Sequence, residues 1–104
     1  MAQKQTPLSF HISNAQHRKL TEVAGNAHGR KSEIVRMAIS QYGKPTAEEY
    51  LNNAPSGPYV NKVNVARGGW YKLHQIRAED LGVSVAALAR YALWRMLCAT
   101  TGQE

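Results

Sequence analysis

The chain repeats itself. Phe10-His11-Ile12-Ser13, a helix-like run through Leu20 and Val23, and Ser32-Glu33-Ile34-Val35-Arg36-Met37-Ala38-Ile39 come first; Val63-Asn64-Val65-Ala66, then Leu73 and Ile76, then Ala86-Ala87-Leu88-Ala89-Arg90-Tyr91-Ala92-Leu93 follow in the same order. The early parts recur after 53 residues and the last after 54, which places one added residue between the two helices of the second copy. A short strand followed by two helices, present twice, reads as a duplicated supersecondary unit. One such unit cannot bury its own apolar face, whereas two can bury each other's.

With 104 residues, the chain has material for one modest core and little room for separate substrate and cofactor lobes. Its 13 Lys and Arg outnumber 7 Asp and Glu, a net charge of +6 that favours an anionic partner, nucleic acid or an acidic membrane face, without choosing between them. The longest apolar run falls far short of the ~20 residues of a membrane span. The polar start Met1-Ala2-Gln3-Lys4-Gln5-Thr6-Pro7 lacks the apolar stretch of a signal peptide. Cys98 is the single cysteine, so no intramolecular disulfide can form, in keeping with a reducing compartment. A soluble cytoplasmic protein is the expectation.

Residues 1–7 read as a flexible arm. Leu8 to Ser13 alternates apolar and polar residues with the period of a half-buried strand. Ser13 or Asn14 can cap the helix that carries Leu20, Val23, Ala24 and Ala27, and Gly25-Asn26-Ala27-His28-Gly29 breaks it. The next helix buries Ile34, Val35, Ala38, Ile39 and Tyr42 and turns Glu33, Arg36, Ser40 and Gln41 outward. Residues 43–58 form a linker, in which Thr46-Ala47-Glu48-Glu49 has the form of a capping box and places Tyr50 and Leu51 on a short helical turn against the core. The second half-unit covers 59–98. Val63 and Val65 alternate there with Lys62 and Asn64, Gly68-Gly69 starts a helix carrying Trp70, Leu73 and Ile76, and Leu81-Gly82-Val83-Ser84 ends it and caps the last helix. That helix, with Val85, Leu88, Ala89, Ala92, Leu93, Met96 and Leu97, should sit at the centre of a single domain over 8–98, and 99–104 is a short tail.

The alternating strands, the run Gly29-Arg30-Lys31-Ser32-Glu33-Ile34-Val35-Arg36 and its parallel Gly82-Val83-Ser84-Val85-Ala86-Ala87-Leu88 resemble the ribbon-helix-helix, or MetJ/Arc-like, DNA-binding family. The resemblance covers roughly 8–42 and 59–97. It implies a mostly α fold with one short two-stranded antiparallel β-ribbon, built from β-α-α twice. In that family two chains ordinarily pair their strands into a ribbon that enters the major groove; here both strands lie in one chain, as in some similar conjugative-plasmid transfer accessory proteins. The partner implied is double-stranded DNA, with self-association on DNA open to two chains and no protein partner specified.

On this reading the outward strand faces, Ser9, His11 and Ser13 with Lys62 and Asn64, contact bases, and Lys62 and Asn64 are the residues best suited to guanine and adenine edges. Lys4, Arg30, Lys31, Ser32, Arg67 and Ser84 are candidates for phosphates, Arg30 to Ser32 and Ser84 because they fall where a helix N-terminus presents free N–H groups; plain capping is the alternative there. The histidines at 11, 17, 28 and 74 show no metal-ligand spacing, Asp80 is the only aspartate, and no nucleophile motif accompanies it. Neither catalysis nor a cofactor or metal is expected. Trp70, Trp94, Met37 and Met96 read as packing residues, and Cys98 as a small buried or half-buried one. The function expected is sequence-specific DNA binding, by a transcriptional repressor or an accessory factor of a plasmid or phage nucleoprotein complex. The alternative is an antitoxin-type interaction module that also binds DNA, although only 99–104 remain to wrap a toxin.

Overall fold

The computed structural model describes residues 7–25 and 28–100. In chain order its elements are β1 (Leu8–Ile12), α1 (Asn14–Ala24), α2 (His28–Tyr42), α3 (Ala47–Asn53), β2 (Asn61–Val65), α4 (Trp70–Leu81) and α5 (Val85–Thr100). The molecule is mostly helical, with one two-stranded antiparallel sheet.

Period-two alternation makes β1, which buries Leu8, Phe10 and Ile12 and exposes Ser9 and His11. In β2, Val63 and Val65 are buried while Lys62 and Asn64 are exposed. The strands pair with Phe10 opposite Val63 at the middle, Leu8 opposite Val65 and Ile12 opposite Asn61. Apolar residues therefore face apolar residues across the inner surface. A one-residue slip would turn each set to solvent, so burial fixes the register.

Ser13 caps α1 in a reciprocal box, its Oγ accepting the Gln16 N–H (3.2 Å) while Gln16 Oε1 accepts the Ser13 N–H (3.4 Å). The Gln16 amide, fully buried, also donates from Nε2 to the Arg90 carbonyl (3.1 Å), which joins the start of α1 to α5. Behind the ribbon, α2 packs on α5 more extensively than any other two elements meet. Ile34, Val35, Ala38 and Ile39 oppose Ala89, Ala92, Leu93 and Leu97 in one core with the inner residues of the strands. The last helix holds the central place that its pattern predicted.

The phase of α4 departs from expectation. Leu73 and Ile76, the sequence counterparts of Leu20 and Val23, are 49% and 46% exposed, and the buried stripe runs through His74 and Ala78, with Trp70 half-buried against the core. In α1 the buried positions are Gln16, Leu20 and Ala24, each 54 residues before Trp70, His74 and Ala78. Likewise Ile34, Val35, Ala38 and Ile39 of α2 lie 54 residues before Leu88, Ala89, Ala92 and Leu93 of α5. Were the two halves copies, this spacing would put the additional residue between β2 and α4, within Ala66–Gly69. One residue turns a helix by about 100°, enough to replace Leu73 and Ile76 with their neighbours. The new phase is held where His74, by its Nε2–H, donates to the Val85 carbonyl (3.0 Å).

Gly82 ends α4 in the left-handed region at φ 77°, and the Val83 N–H closes the turn on the Ala78 carbonyl (3.0 Å). The linker helix α3 starts at the expected capping box of Thr46 and Glu49. Tyr50 packs its ring 5.3 Å from that of Tyr91, but Leu51, expected beside it on the core, is 77% exposed, turned away by the step of about 100° between consecutive helical residues. Met37, read as a packing residue, is 44% exposed, whereas Trp70 and Met96 do pack on the core and Cys98 is half-buried. Among the described residues no single helix is long and apolar enough to cross a membrane.

Candidate nucleic-acid interface

The strand register dictates the outer face of the ribbon. With the inner positions committed to the core, Ser9 stands opposite Asn64 and His11 opposite Lys62, all four exposed. The Ser9 hydroxyl donates to Asn64 Oδ1 (2.5 Å), which fixes the amide with its Nδ2 donors turned away from the serine. An amide so held has an Nδ2 donor for the adenine N7 acceptor and an Oδ1 acceptor for the adenine N6 donor, while Lys62 has donors for the guanine acceptors.

Ser13 does not join this face. It is buried, and its hydroxyl is taken by the α1 cap, because the chain turns into the helix one residue before the strand alternation would bring Ser13 outward. The sequence supported both roles, and the cap prevails.

Both strands are tethered from behind. The Ser32 hydroxyl donates to the Asn64 carbonyl (3.2 Å), tying the first turns of α2 to β2. Arg90 Nε–H donates to the His11 carbonyl (2.7 Å), with its guanidinium over the Tyr59 ring at 3.9 Å, tying α5 to β1. The Val60 N–H to Ile12 carbonyl bond (3.0 Å) and an Asn61 to Asn14 side-chain bond (2.8 Å) secure the far end. Sequence reading missed Arg90 as a support for the ribbon. Its signal was the recurrence of arginine at 36 and 90, which marks a shared position but not what the side chain touches.

The phosphate candidates are dispersed. Arg30 is exposed and Lys31 and Ser32 half-buried near the start of α2; Arg67, beyond β2, lies with its guanidinium 4.3 Å from the centre of the Tyr71 ring. Ser84 is exposed, and its Oγ accepts the Ala87 N–H (3.0 Å), so capping α5 occupies it. Lys4 lies outside the described residues. A cleft of about 340 Å³ beside the ribbon brings Lys31 and Ser32 of α2 together with Lys62 and Asn64 of β2; His17 and Leu20 of α1 and Val63 of β2 complete its wall. Arg30, Arg67 and Ser84 do not line it.

Elsewhere His74 is 1% exposed, and burial, more than the nearby positive charge of Arg77, holds its imidazole below the ordinary value of 6.5, against the opposing effect of its bond to Val85. Burial likewise raises the Tyr50 phenol. Among the described residues no group of His, Cys, Asp and Glu is placed to hold a metal ion. No protein-family model, curated protein or solved structure matches the chain.

Proposed function

We propose that this chain is a sequence-specific double-stranded DNA-binding protein that lays its β-ribbon in the major groove, within a single-chain ribbon-helix-helix architecture. The observation that carries the reading is the outer face of the ribbon. Ser9, His11, Lys62 and Asn64 stand there as two exposed cross-strand pairs, on a scaffold whose inner face is core and whose backbone is tethered by Ser32 and Arg90. A polar ribbon that is rigid and projects from a chain of net charge +6 is suited to read bases while charge steers it to phosphates.

The architecture draws support from the register. The middle pair, Phe10 with Val63, joins two residues 53 apart, and the flanking pairs are those that a twofold axis through that middle requires if each strand is a copy of the other. The 54-residue recurrence of buried positions in the helices agrees with the same duplication. Arg30, Lys31, Ser32 and Arg67 serve phosphates in this reading, Lys4 would reach them from the arm, and Ser84 contributes as a cap. Such a protein acts by occupying its site, as a repressor or as an accessory factor of a DNA-processing complex, and needs no cofactor.

Fluorescence anisotropy with a mixed-sequence duplex and with either of its single strands, over a series of salt concentrations, tests the proposal. Duplex binding should exceed single-strand binding and weaken steeply with salt, with a log–log slope of about −0.9 for each phosphate neutralised. A chain that ignores duplex DNA at low salt does not have this function.

A further inference from the structure

At the end of α2 remote from the ribbon, a cleft of about 150 Å³ is lined by Gln41 and Tyr42 of that helix, Lys44 just beyond it, Glu49 of α3, and Tyr91 and Arg95 of α5. Ser32 touches β2, and Gln41 follows it by nine residues, about 14 Å along the helix axis, so the cleft stands clear of the reading face. Its polar groups form a donor set without an acceptor. Arg95 donates from Nη1 to the Tyr91 hydroxyl (2.8 Å), which orients the guanidinium and leaves its other N–H groups to give. Tyr91 is 2% exposed and packs against the Tyr50 ring; its oxygen accepts from Arg95, while its own proton meets no acceptor among the described residues. Neither Lys44 nor Arg95 pairs with a carboxylate among the described residues. Glu49, the acid in the cleft, instead accepts the Thr46 N–H at Oε1 (2.9 Å) in the α3 capping box.

We propose that this cleft binds the carboxylate of a small molecule, held by Arg95, Lys44 and the Tyr91 hydroxyl. A buried hydroxyl with a proton to donate, beside an arginine already oriented, calls for an anionic acceptor, and the planar guanidinium fork matches the two oxygens of a carboxylate. Lys44 and Arg95 contribute two positive charges and Glu49 one negative, so the ionised groups of the cleft sum to +1. That sum suits one negative charge and disfavours a dianion such as a phosphate monoester. A molecule seated there joins the end of α2 to α5 and the linker while the ribbon stays uncovered, so it can be bound together with DNA. The inference goes beyond the DNA-binding reading and does not depend on it.

Acetate is the probe, titrated into the full chain at neutral pH and constant ionic strength while NMR follows the side-chain N–H signals of Arg95 and Gln41. Both should shift to saturation. Lys44→Gln and Arg95→Gln, read at Gln41, should each weaken acetate about tenfold, the loss expected for one charged hydrogen bond. Tyr91→Phe keeps the ring on Tyr50 and should weaken it by a smaller factor, whereas Arg36→Gln removes the same charge from an exposed position of α2 outside the cleft and should change nothing. Inorganic phosphate should bind more weakly than acetate. Failure of acetate to saturate, unaltered affinity in both cation variants, or an equal loss in Arg36→Gln overturns the site, and tighter binding of phosphate overturns its assignment to a carboxylate.

Discussion

The Ser9–Asn64 pair turns the reading of the ribbon into a measurable coupling. Asn64→Ala removes an amide positioned for a bidentate base contact, worth about 1–3 kcal/mol, or roughly a five- to hundredfold loss of affinity for the preferred duplex. Ser9→Ala removes the hydroxyl that donates to Asn64 Oδ1 across 2.5 Å. A hydrogen bond of this kind is worth about 0.5–1.5 kcal/mol net, and the loss appears on DNA because the freed amide must be ordered again on binding. The serine has one hydrogen to give and gives it to Asn64, so it acts through that residue. The double variant should then bind no worse than Asn64→Ala alone, and the coupling energy should equal the whole effect of Ser9→Ala. Anisotropy titrations of the four proteins against the preferred duplex and a scrambled one measure the cycle. Strictly additive losses, or an Asn64→Ala loss that is equal on both duplexes, would refute the reasoning.

Three predictions concern the scaffold. Phe10→Ala, at a position 2% exposed, should cost about 3–5 kcal/mol in urea denaturation, whereas Leu73→Ser should stay within about 0.5 kcal/mol; the reverse order would restore the phase of α4 read from the sequence. Burial holds the folded-state pKa of His74 below the unfolded value of 6.5, so the folded protein binds fewer protons, and the stability due to the neutral ring is present above that value and lost as pH falls below it. The urea midpoint should therefore fall from neutral to mildly acidic pH, and this part of the fall should vanish in His74→Gln. Gly82→Ala places a side chain at φ 77° and should cost about 1–2 kcal/mol, seen as a lower Tm by circular dichroism.

The strands, the helix order and the α2–α5 core were legible in the sequence because each rests on a periodicity that burial then honours. Phe10, Val63, Ile39 and Leu93 lie inside as their spacing requires. The phase of α4 was not legible. Gly68 and Gly69 carry no side chain to mark where the helix begins, so alignment of apolar letters slid to Leu73 and Ile76, and nothing local reveals that a histidine will be buried through a bond to Val85. At the interface, Ser9, His11, Lys62 and Asn64 followed from strand phase alone. Ser13 was ambiguous because serine suits both a strand face and a cap, and only the course of the backbone decides. Arg90 and Ser32 hold the ribbon by bonds to its carbonyls, a long-range relation that no local pattern encodes.

Selection from a random duplex pool, run side by side for the unmodified protein and for Lys62→Ala with Asn64→Ala, tests most directly whether the ribbon reads DNA. The unmodified protein should enrich one motif that is not its own reverse complement, because the paired strands present Ser9 and His11 on one side and Asn64 and Lys62 on the other. The double variant should lose that motif while still binding the starting pool through phosphates. Enrichment of the same motif by both proteins, or of none by the unmodified chain, would contradict a reading head built on the β-ribbon.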